Sequence, residues 1–229
     1  TGINCFDLWV NELIKFGYLH NHARMWFASI WIFTLNLPWE LGANFFYRNL
    51  LDADAASNTL SWRWVAGLQT KGKVYLAREE NIEKFSKFSF QSRGELARTY
   101  KEPIHKFYEY IQPSYLDQKV EKIDYFLINS NNLSYDKKLL KELENVKVLY
   151  FKLSDDSEDG NIKKKFDDSA IKEYIDWLKQ NKIYTKTIID EDHLKSEIQE
   201  SYLITQYPSV GYELDKLESI SRKSKFKVQ

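Results

Sequence analysis

The sequence has 229 residues, a formal net charge of zero and 43% hydrophobic residues, which is enough apolar material for one large domain or two small ones. The balanced charge excludes the global basic field of a general nucleic-acid binder, so any DNA contact has to be local. The single cysteine, Cys5, excludes a disulfide framework and a four-cysteine iron–sulfur cluster, and it fits a reducing cytoplasm.

The first predicted helix covers residues 3–16 and ends at Gly17, which is a typical C-cap residue. Its period of apolar residues predicts an inner face made by Phe6, Val10, Leu13 and Ile14. A helix amphipathic in this way needs a neighbour to cover it. The pattern therefore indicates a helical bundle rather than an isolated helix.

Three more helices are predicted in the next fifty residues, at 20–36, 40–51 and 55–65. Apolar residues cover nearly every side of the first of them, which predicts full burial, and Pro38 ends it. Asp54 is the predicted N-cap of the last. A short charged helix follows at 79–87, and residues 88–118 are predicted to form an irregular connector.

Beyond residue 118, short apolar runs alternate with helical patterns. Strands are predicted at 123–128, 147–153, 184–190, 202–208 and 225–228. Helices are predicted at 134–146, with Ser134 near its N-cap, and at 168–181, 193–200 and 211–221. This alternation predicts a small parallel α/β module. The module carries no Walker-type loop and no Gly-x-Gly-x-x-Gly motif, and we assign no catalytic residue to it.

Composition supports a division into two modules, 1–118 and 119–229. Six of the seven tryptophans lie in the first 64 residues, and the second half is rich in lysine, acidic residues and isoleucine. The fold class expected from this division is mainly α, with a helical domain followed by the small parallel-sheet module.

The sequence also bears on location and completeness. Its longest uncharged apolar run, about 15 residues ending at Trp39, is too short for a membrane span, and no signal peptide is recognisable. A cytoplasmic location is expected. The chain begins at Thr1 rather than at Met, and we expect it to be a fragment of a longer protein.

Chemistry-bearing residues concentrate in residues 18–67. Asn21, Arg24, Met25 and Ala28 are spaced i, i+3, i+4 and i+7, so one helix face presents an amide, a cation and a thioether beside a small residue. In the helix after Asp54, Asn58 and Trp62 are four residues apart and share a face. Both faces are suited to lining a pocket.

Several strings in this region resemble the cryptochrome/photolyase family, specifically the C-terminal half of its FAD-binding helical domain. They are Thr1-Gly2 followed by Asp7, HNHARM at 20–25, LPWE at 37–40, LLDADAASN at 50–58 and WRWVAG at 62–67. The strings occur in the family's order and approximate spacing across the first third of the chain. The resemblance implies that FAD is the cofactor.

The resemblance also implies roles for the polar residues. Asn58 takes the position that faces N5 of the flavin ring, where a neutral amide can donate or accept as N5 gains and loses a proton. Arg24 and Asp52 are expected to form a buried ion pair beside it, and Asp54 to lie at the pyrimidine edge of the ring. Asn21 is expected to contact the diphosphate or ribose. The alternative for each of these residues is a structural hydrogen bond or ion pair.

Trp62 and Trp39 match two members of the family's electron-transfer chain, whereas Trp9, Trp26 and Trp31 are expected to pack in the core. Met25 and Trp64 match residues that line the pocket for a flipped pyrimidine dimer. Cationic groups that could contact DNA phosphates are His22, Arg48, Arg63 and Lys71, although surface cations are more often merely solvated.

The activity implied is repair of cyclobutane pyrimidine dimers in UV-damaged DNA, by light-driven electron transfer from reduced FAD to the flipped dimer. Three alternatives stay open: a signalling cryptochrome without repair, an inactive fragment, and a metal-dependent hydrolase using His20, His22, Asp52 and Asp54. The family's first half of the FAD domain is not in this sequence and could be supplied as a separate partner. The lesion type and any antenna chromophore stay open, and no membrane contact is expected.

Overall fold

A computed structural model describes residues 1–87, 89–90, 94–104, 109, 123–153, 159–199, 201–206, 208, 210–222 and 227–228. The chain divides into two compact units. The first contains Thr1–Tyr110 with Glu158–Lys164, and the second contains Ile111–Ser157 with Lys165–Gln229. The predicted boundary at residue 118 and most of the predicted connector lie outside the described residues.

The first unit is helical. Its helices are α1 (Asn4–Phe16), α2 (Asn21–Ser29), a π-helix (Ile30–Thr34), α3 (Trp39–Asn49), α4 (Ala55–Val65) and α5 (Glu79–Phe85). All the helices predicted here are present, with ends within a few residues of the prediction, except that the predicted helix at 20–36 contains a change of helix type. Their apolar faces form one core that is unusually rich in aromatic rings.

Helix α1 ends as predicted, because Gly17 adopts a left-handed conformation and its N–H donates to the Leu13 carbonyl at 2.8 Å. Its buried stripe consists of Cys5, Phe6, Trp9 and Leu13. The prediction that Ile14 faces inward is wrong, since its side chain is 50% exposed. Ile14 lies one hundred degrees around the helix from Leu13 and falls outside the stripe.

The segment after α2 widens into a π-helix, in which the Leu35 N–H donates to the Ile30 carbonyl at 2.9 Å. Helical structure then ends before Asn36, which has a positive φ of 54°. Full burial from residue 20 to residue 36 was expected, but only Ala23 and residues 26–30 are buried, and Trp31 to Leu35 are half-buried. The π-helix places Trp31 against α4, as described below.

Helices α3 and α4 approach each other closely at Gly42. A Cβ at this position would overlap the outer edge of the Trp62 ring, so only glycine allows Trp62 to lie against α3. Asp54 is the N-cap of α4, as predicted. Pro38, predicted to end the preceding helix, is the N-cap of α3. The two helices are joined by a short turn that contains Asp52.

The second unit is built on a parallel sheet. Its strands are β1 (Tyr125–Ile128), β2 (Lys147–Phe151), β3 (Thr185–Ile188), β4 (Tyr202–Thr205) and β5 (Lys227–Val228). They are arranged in the order β3-β2-β1-β4-β5, and each neighbouring pair is parallel. The intervening helices are α6 (Lys137–Glu142), α7 (Asn161–Gln180), α8 (Glu191–Ile198) and α9 (Tyr212–Arg222). The predicted fold class, mainly α with a small parallel α/β module, is confirmed.

Two predicted helix starts in this unit are wrong. Helix α6 begins after Asp136, whose carboxylate accepts the Lys138 N–H at 2.8 Å, so the N-cap is not Ser134. Helix α7 begins at Asn161 rather than at residue 168. Its lysine-rich first turns form a helix because lysine has good helix propensity. The prediction missed these turns because they contain few apolar residues. Among the described residues, no helix has the length and apolar character needed to cross a membrane.

Candidate functional site

The first unit contains a cavity of about 420 Å³ between α2, α4 and the turn that precedes α4. Its lining includes eight of the residues singled out from the sequence: Asn21, Arg24, Met25, Asp52, Asp54, Asn58, Trp62 and Trp64. Its volume falls in the usual range for small-molecule and cofactor sites. The motifs at 20–25 and 50–64 thus meet around one space.

Arg24 is fixed at two points. Its Nε donates to the Leu19 carbonyl at 2.7 Å, and its Nη2 contacts both Asp52 carboxylate oxygens at 3.0 and 3.1 Å. The guanidinium also lies 5.4 Å from the centre of the Tyr18 ring. The expected pair with Asp52 therefore forms. The expectation that it is buried is wrong, because Asp52 lies in an exposed turn and its side chain is 58% exposed.

Asp54 holds the start of α4. Its carboxylate accepts the Ser57 backbone N–H at 2.7 Å, and this hydrogen bond lowers the pKa of Asp54 below its ordinary value. The negative charge at a helix N-terminus is further favoured by the helix dipole. Asp54 is thus an ionised wall of the cavity and a structural cap at the same time.

Asn58 is anchored across the helix pair, since its side-chain amide donates to the Ala43 carbonyl in α3 at 2.7 Å. The first turn of α4 is intact below it, with the Asn58 N–H bonded to the Asp54 carbonyl at 2.9 Å. The hydrogen bond to Ala43 uses one N–H of the Asn58 side chain and fixes the rotamer of that side chain. The amide therefore faces the cavity in one orientation.

Trp62 forms an aromatic wall of the cavity and is only 2% exposed. It meets Phe46, Trp31 and Phe27 edge to face, with ring centres 5.1, 6.2 and 6.4 Å apart. Among the described residues its indole N–H is buried without a hydrogen-bond partner, so packing alone holds the ring. Trp31, expected only in the core, is one of these direct neighbours.

Trp64 is the exposed counterpart of Trp62 on the same helix. It lines the cavity with 41% of its surface exposed, and one face of its indole lies against Tyr75, with ring centres 5.4 Å apart and planes inclined by 30°. Tyr75 was not singled out from the sequence. No motif or period signals it, because it follows a turn at Gly72.

Three of the predicted site residues lie elsewhere in the first unit. Trp39 lines a second cavity, of about 520 Å³, and the Arg63 guanidinium lies 5.9 Å from the centre of the Trp39 ring. His22 stacks between Trp26 and Phe85, with ring centres 5.8 Å from each. Arg63 and His22 are thus engaged with aromatic rings and do not line the main cavity.

The two remaining cationic residues also lie away from the cavity lining. Arg48 donates from Nε to Asn44 Oδ1 at 3.0 Å within α3, and Lys71 is exposed in the loop after α4. In the part of the chain that the structure describes, no group of three or more His, Cys, Asp or Glu side chains is arranged to hold a metal ion. The set His20, His22, Asp52 and Asp54 does not form one.

The cavity combines features that suit a flat, partly polar ring system. Trp62 and Phe46 give it an apolar side, and Arg24, Asp52, Asp54 and Asn58 give it a cation, two carboxylates and an amide. Hydrogen bonds hold all four of these polar groups. A heteroaromatic ring with donor and acceptor atoms on its edge fits this arrangement.

Comparison with known proteins gives a family match. A sequence model described as the FAD binding domain of DNA photolyase matches residues 1–126. Cryptochrome-1 of Arabidopsis thaliana is 33% identical over 98 residues, which are 43% of this chain and 14% of that protein. The deoxyribodipyrimidine photo-lyase of Streptomyces griseus is 43% identical over 70 residues, which are 31% of this chain and 15% of that protein.

A third relative extends the alignment. The deoxyribodipyrimidine photo-lyase of Buchnera aphidicola subsp. Acyrthosiphon pisum is 28% identical over 131 residues, which are 55% of this chain and 26% of that protein. The chain therefore spans between 14% and 26% of the length of these curated relatives. No solved structure matches.

Proposed function

The chain belongs to the family of the FAD binding domain of DNA photolyase, and from this premise we propose that its cavity holds the flavin ring for light-driven repair of pyrimidine dimers in DNA. FAD is the cofactor of this family. The observation that carries the proposal is the convergence of the HNHARM and LLDADAASN motifs on one cavity with an aromatic side and a fixed polar rim.

The polar rim fits the edge of a flavin. The Asn58 amide, locked by Ala43, can accept or donate at N5, and the Arg24 and Asp52 pair supplies a balanced charge beside it. Asp54, ionised because its pKa is lowered, is suited to N–H groups on the pyrimidine edge. Asn21 lies at the α2 end of the cavity, where an amide suits the diphosphate or ribose.

The apolar residues fit the substrate and the electron route. Reduced FAD, when bound, supplies the photoexcited electron for splitting a cyclobutane ring. Met25 and Trp64 offer a polarizable thioether and an exposed aromatic face in the same cavity, which are the surfaces that replace lost base stacking when a dimer is flipped out. Trp62, with Trp31 edge-on to it, gives the cavity an indole neighbour on the core side.

In this proposal the remainder of the cofactor cage comes from the half of the family's FAD domain that the sequence does not contain. The Ser/Thr-rich loop that holds the diphosphate in this family, and its Trp-Arg helix, are not in the sequence. The chain's own residues cover one side of the flavin, and the complementary half of the domain covers the other. The proposal does not depend on DNA contacts by Arg63 and His22. Both side chains lie against aromatic rings, Arg63 against Trp39 and His22 against Trp26.

The test is repair of a thymine dimer in a short oligonucleotide. The chain is loaded with FAD, either by itself or together with the complementary half of a relative's FAD domain. The bound FAD is then reduced, and repair is assayed in blue light and in the dark. Repair that requires light and is lost in Trp64→Ala supports the proposal. If flavin is bound and no dimer is split under any condition, the repair activity is refuted.

Blue-light signalling is the second candidate, favoured by the similarity to cryptochrome-1 over 98 residues. It requires flavin binding and photoreduction and does not require dimer repair. The same assay separates the two functions, because a signalling protein reduces its flavin in the light while the dimer stays intact. A chain that binds no flavin even with the complementary half added contradicts both.

A further inference from the structure

Trp64 is an unusual side chain for an exposed position. It lies near the end of α4, it lines the main cavity, and 41% of its surface is open. An exposed indole has several rotamers of similar energy unless a neighbour selects one. A flat surface that is to receive a base must hold one orientation before the base arrives. The stacking partner of Trp64 is therefore of functional interest.

That partner is Tyr75. Its ring covers one face of the indole at 5.4 Å between centres, with planes inclined by 30°. Tyr75 is absent from the lining of the main cavity, whereas Trp64 is part of it. The tyrosine thus contacts the indole and leaves the cavity side of Trp64 available. Tyr75 can therefore act on a ligand in the cavity through Trp64.

The backbone that carries Tyr75 is fixed at two points. Its own N–H donates to the Val65 carbonyl at 3.2 Å, next to Trp64 in the chain. Two residues later, the Ala77 N–H donates to the Ser29 hydroxyl at 2.7 Å inside the core. The extended segment is therefore tied both to the end of α4 and to the end of α2, and the Tyr75 ring has a fixed base.

The Tyr75 hydroxyl is neutral at physiological pH, as an ordinary tyrosine is. Burial raises the pKa of Tyr75 above its ordinary value, and contact with the Trp26 side chain opposes this only in part. A neutral ring keeps the contact with Trp64 free of charge across the physiological pH range. The ring rather than the hydroxyl is the group that meets the indole.

We propose that Tyr75 is a positioning residue that holds Trp64 as a preformed stacking platform for a flipped base. This inference rests on the proposed function, which identifies the base as part of a pyrimidine dimer. The positioning role itself is inferred from the contact between Trp64 and Tyr75. It assigns to the segment after α4 a role in substrate binding, although no residue of that segment lines the main cavity except Gln69.

The first experiment reads Trp64 itself and needs neither flavin nor DNA. The emission of Trp64 is obtained as the difference between the chain and its Trp64→Phe variant, with and without acrylamide as a quencher. Tyr75→Leu is expected to shift this emission to longer wavelength and to increase quenching. Tyr75→Phe, which keeps the ring, is expected to preserve both. Equal signals in all three backgrounds would overturn the inference.

The second experiment measures binding of an oligonucleotide with a thymine dimer to the FAD-loaded chain with the complementary half-domain added. Tyr75→Leu is expected to weaken binding about two- to tenfold, as for loss of one aromatic contact, and Tyr75→Phe to leave it unchanged. FAD affinity is the control and should not move. Circular dichroism checks folding, and Tyr75→Met, which fills the volume without a ring, replaces Tyr75→Leu if that variant does not fold.

The outcomes separate the two claims. If the unmodified chain binds no dimer, the proposed repair function fails, and the emission experiment still decides whether Tyr75 orients Trp64. If the unmodified chain binds the dimer and Tyr75→Leu binds it equally well, the positioning role is wrong and the proposed function stands. If Tyr75→Phe behaves as Tyr75→Leu, the hydroxyl and not the ring is the important group, which also contradicts the inference.

Discussion

Two tryptophans on α4, Trp62 and Trp64, form parts of the same cavity in opposite ways. Trp62 is buried among Phe27, Trp31 and Phe46 and is held from several sides. Trp64 is exposed and is stacked on one ring, that of Tyr75. The difference shows that one side of the cavity is held by the packed core, which gives it shape, whereas Trp64 at its open side is held by a single ring contact.

Truncation of the two tryptophans should have very different effects on stability. Trp62→Ala is expected to lower the free energy of unfolding by about 3–5 kcal/mol, because a large cavity opens in the core. Trp64→Ala, two residues away on the same helix, should lower it by less than about 1 kcal/mol. Denaturant titration followed by circular dichroism measures both. Equal losses would mean that the two side chains are not held differently.

Trp62→Phe is the matched control for that experiment. The indole N–H has no hydrogen-bond partner among the described residues, so replacing the indole with a phenyl ring removes no bond. We expect a loss well below that of Trp62→Ala. A loss as large as that of alanine would indicate a hydrogen bond that the packing argument omits.

Gly42→Ala tests the wall from the other helix. Alanine usually stabilises a helix relative to glycine by about 1 kcal/mol. Here the added methyl group would overlap the Trp62 ring, and we expect a net loss of about 1–3 kcal/mol in the free energy of unfolding. Glu40→Ala, at an exposed position of α3, is the control and should be nearly neutral. A Gly42→Ala variant more stable than the original would contradict the close contact.

Asp54 tests the rim, through the pH dependence of stability. Its folded-state pKa is lowered, so its contribution is fully present above the pKa of about 3.9 of an unfolded aspartate and is lost as pH falls through the folded value. At pH 7 we expect Asp54→Ala to cost about 1 kcal/mol through loss of the cap. The difference in the free energy of unfolding between the original chain and Asp54→Ala should narrow below about pH 4. Asp54→Asn keeps a cap that carries no charge. If the stability difference between the original chain and Asp54→Asn did not change with pH, the lowered pKa of Asp54 would be contradicted.

Sequence reasoning was most successful where a local rule acts alone. The capping roles of Gly17 and Asp54 follow from residue type and the adjacent helix, and both are confirmed. The alternation of strands and helices predicts the parallel sheet of the second unit, which is also confirmed. The start of α6 was missed, because Ser134 and Asp136 are both good caps and only the folded chain selects one.

The sequence could not predict contacts made by segments that have no periodic pattern of apolar residues. Nothing in the sequence marks Tyr75 as the neighbour of Trp64, or the π-helix that places Trp31 beside Trp62. The residues around the cavity were named from motifs, and Ser57, which supports Asp54, lies in one of them. The support of Asn58 and Arg24 comes from Ala43 and Leu19, which no motif distinguishes. Supporting contacts of this kind depend on tertiary packing and have no local signal.

Titration of FAD is the sharpest test of whether the cavity between α2 and α4 binds the flavin ring. FAD is added to the chain with the complementary half-domain, and binding is followed by quenching of flavin fluorescence. We expect binding that Asn58→Leu weakens at least about tenfold, by removing a polar contact to the flavin, while Asn11→Leu on the exposed side of α1 leaves it unchanged. Equal affinity in both variants would place the flavin elsewhere.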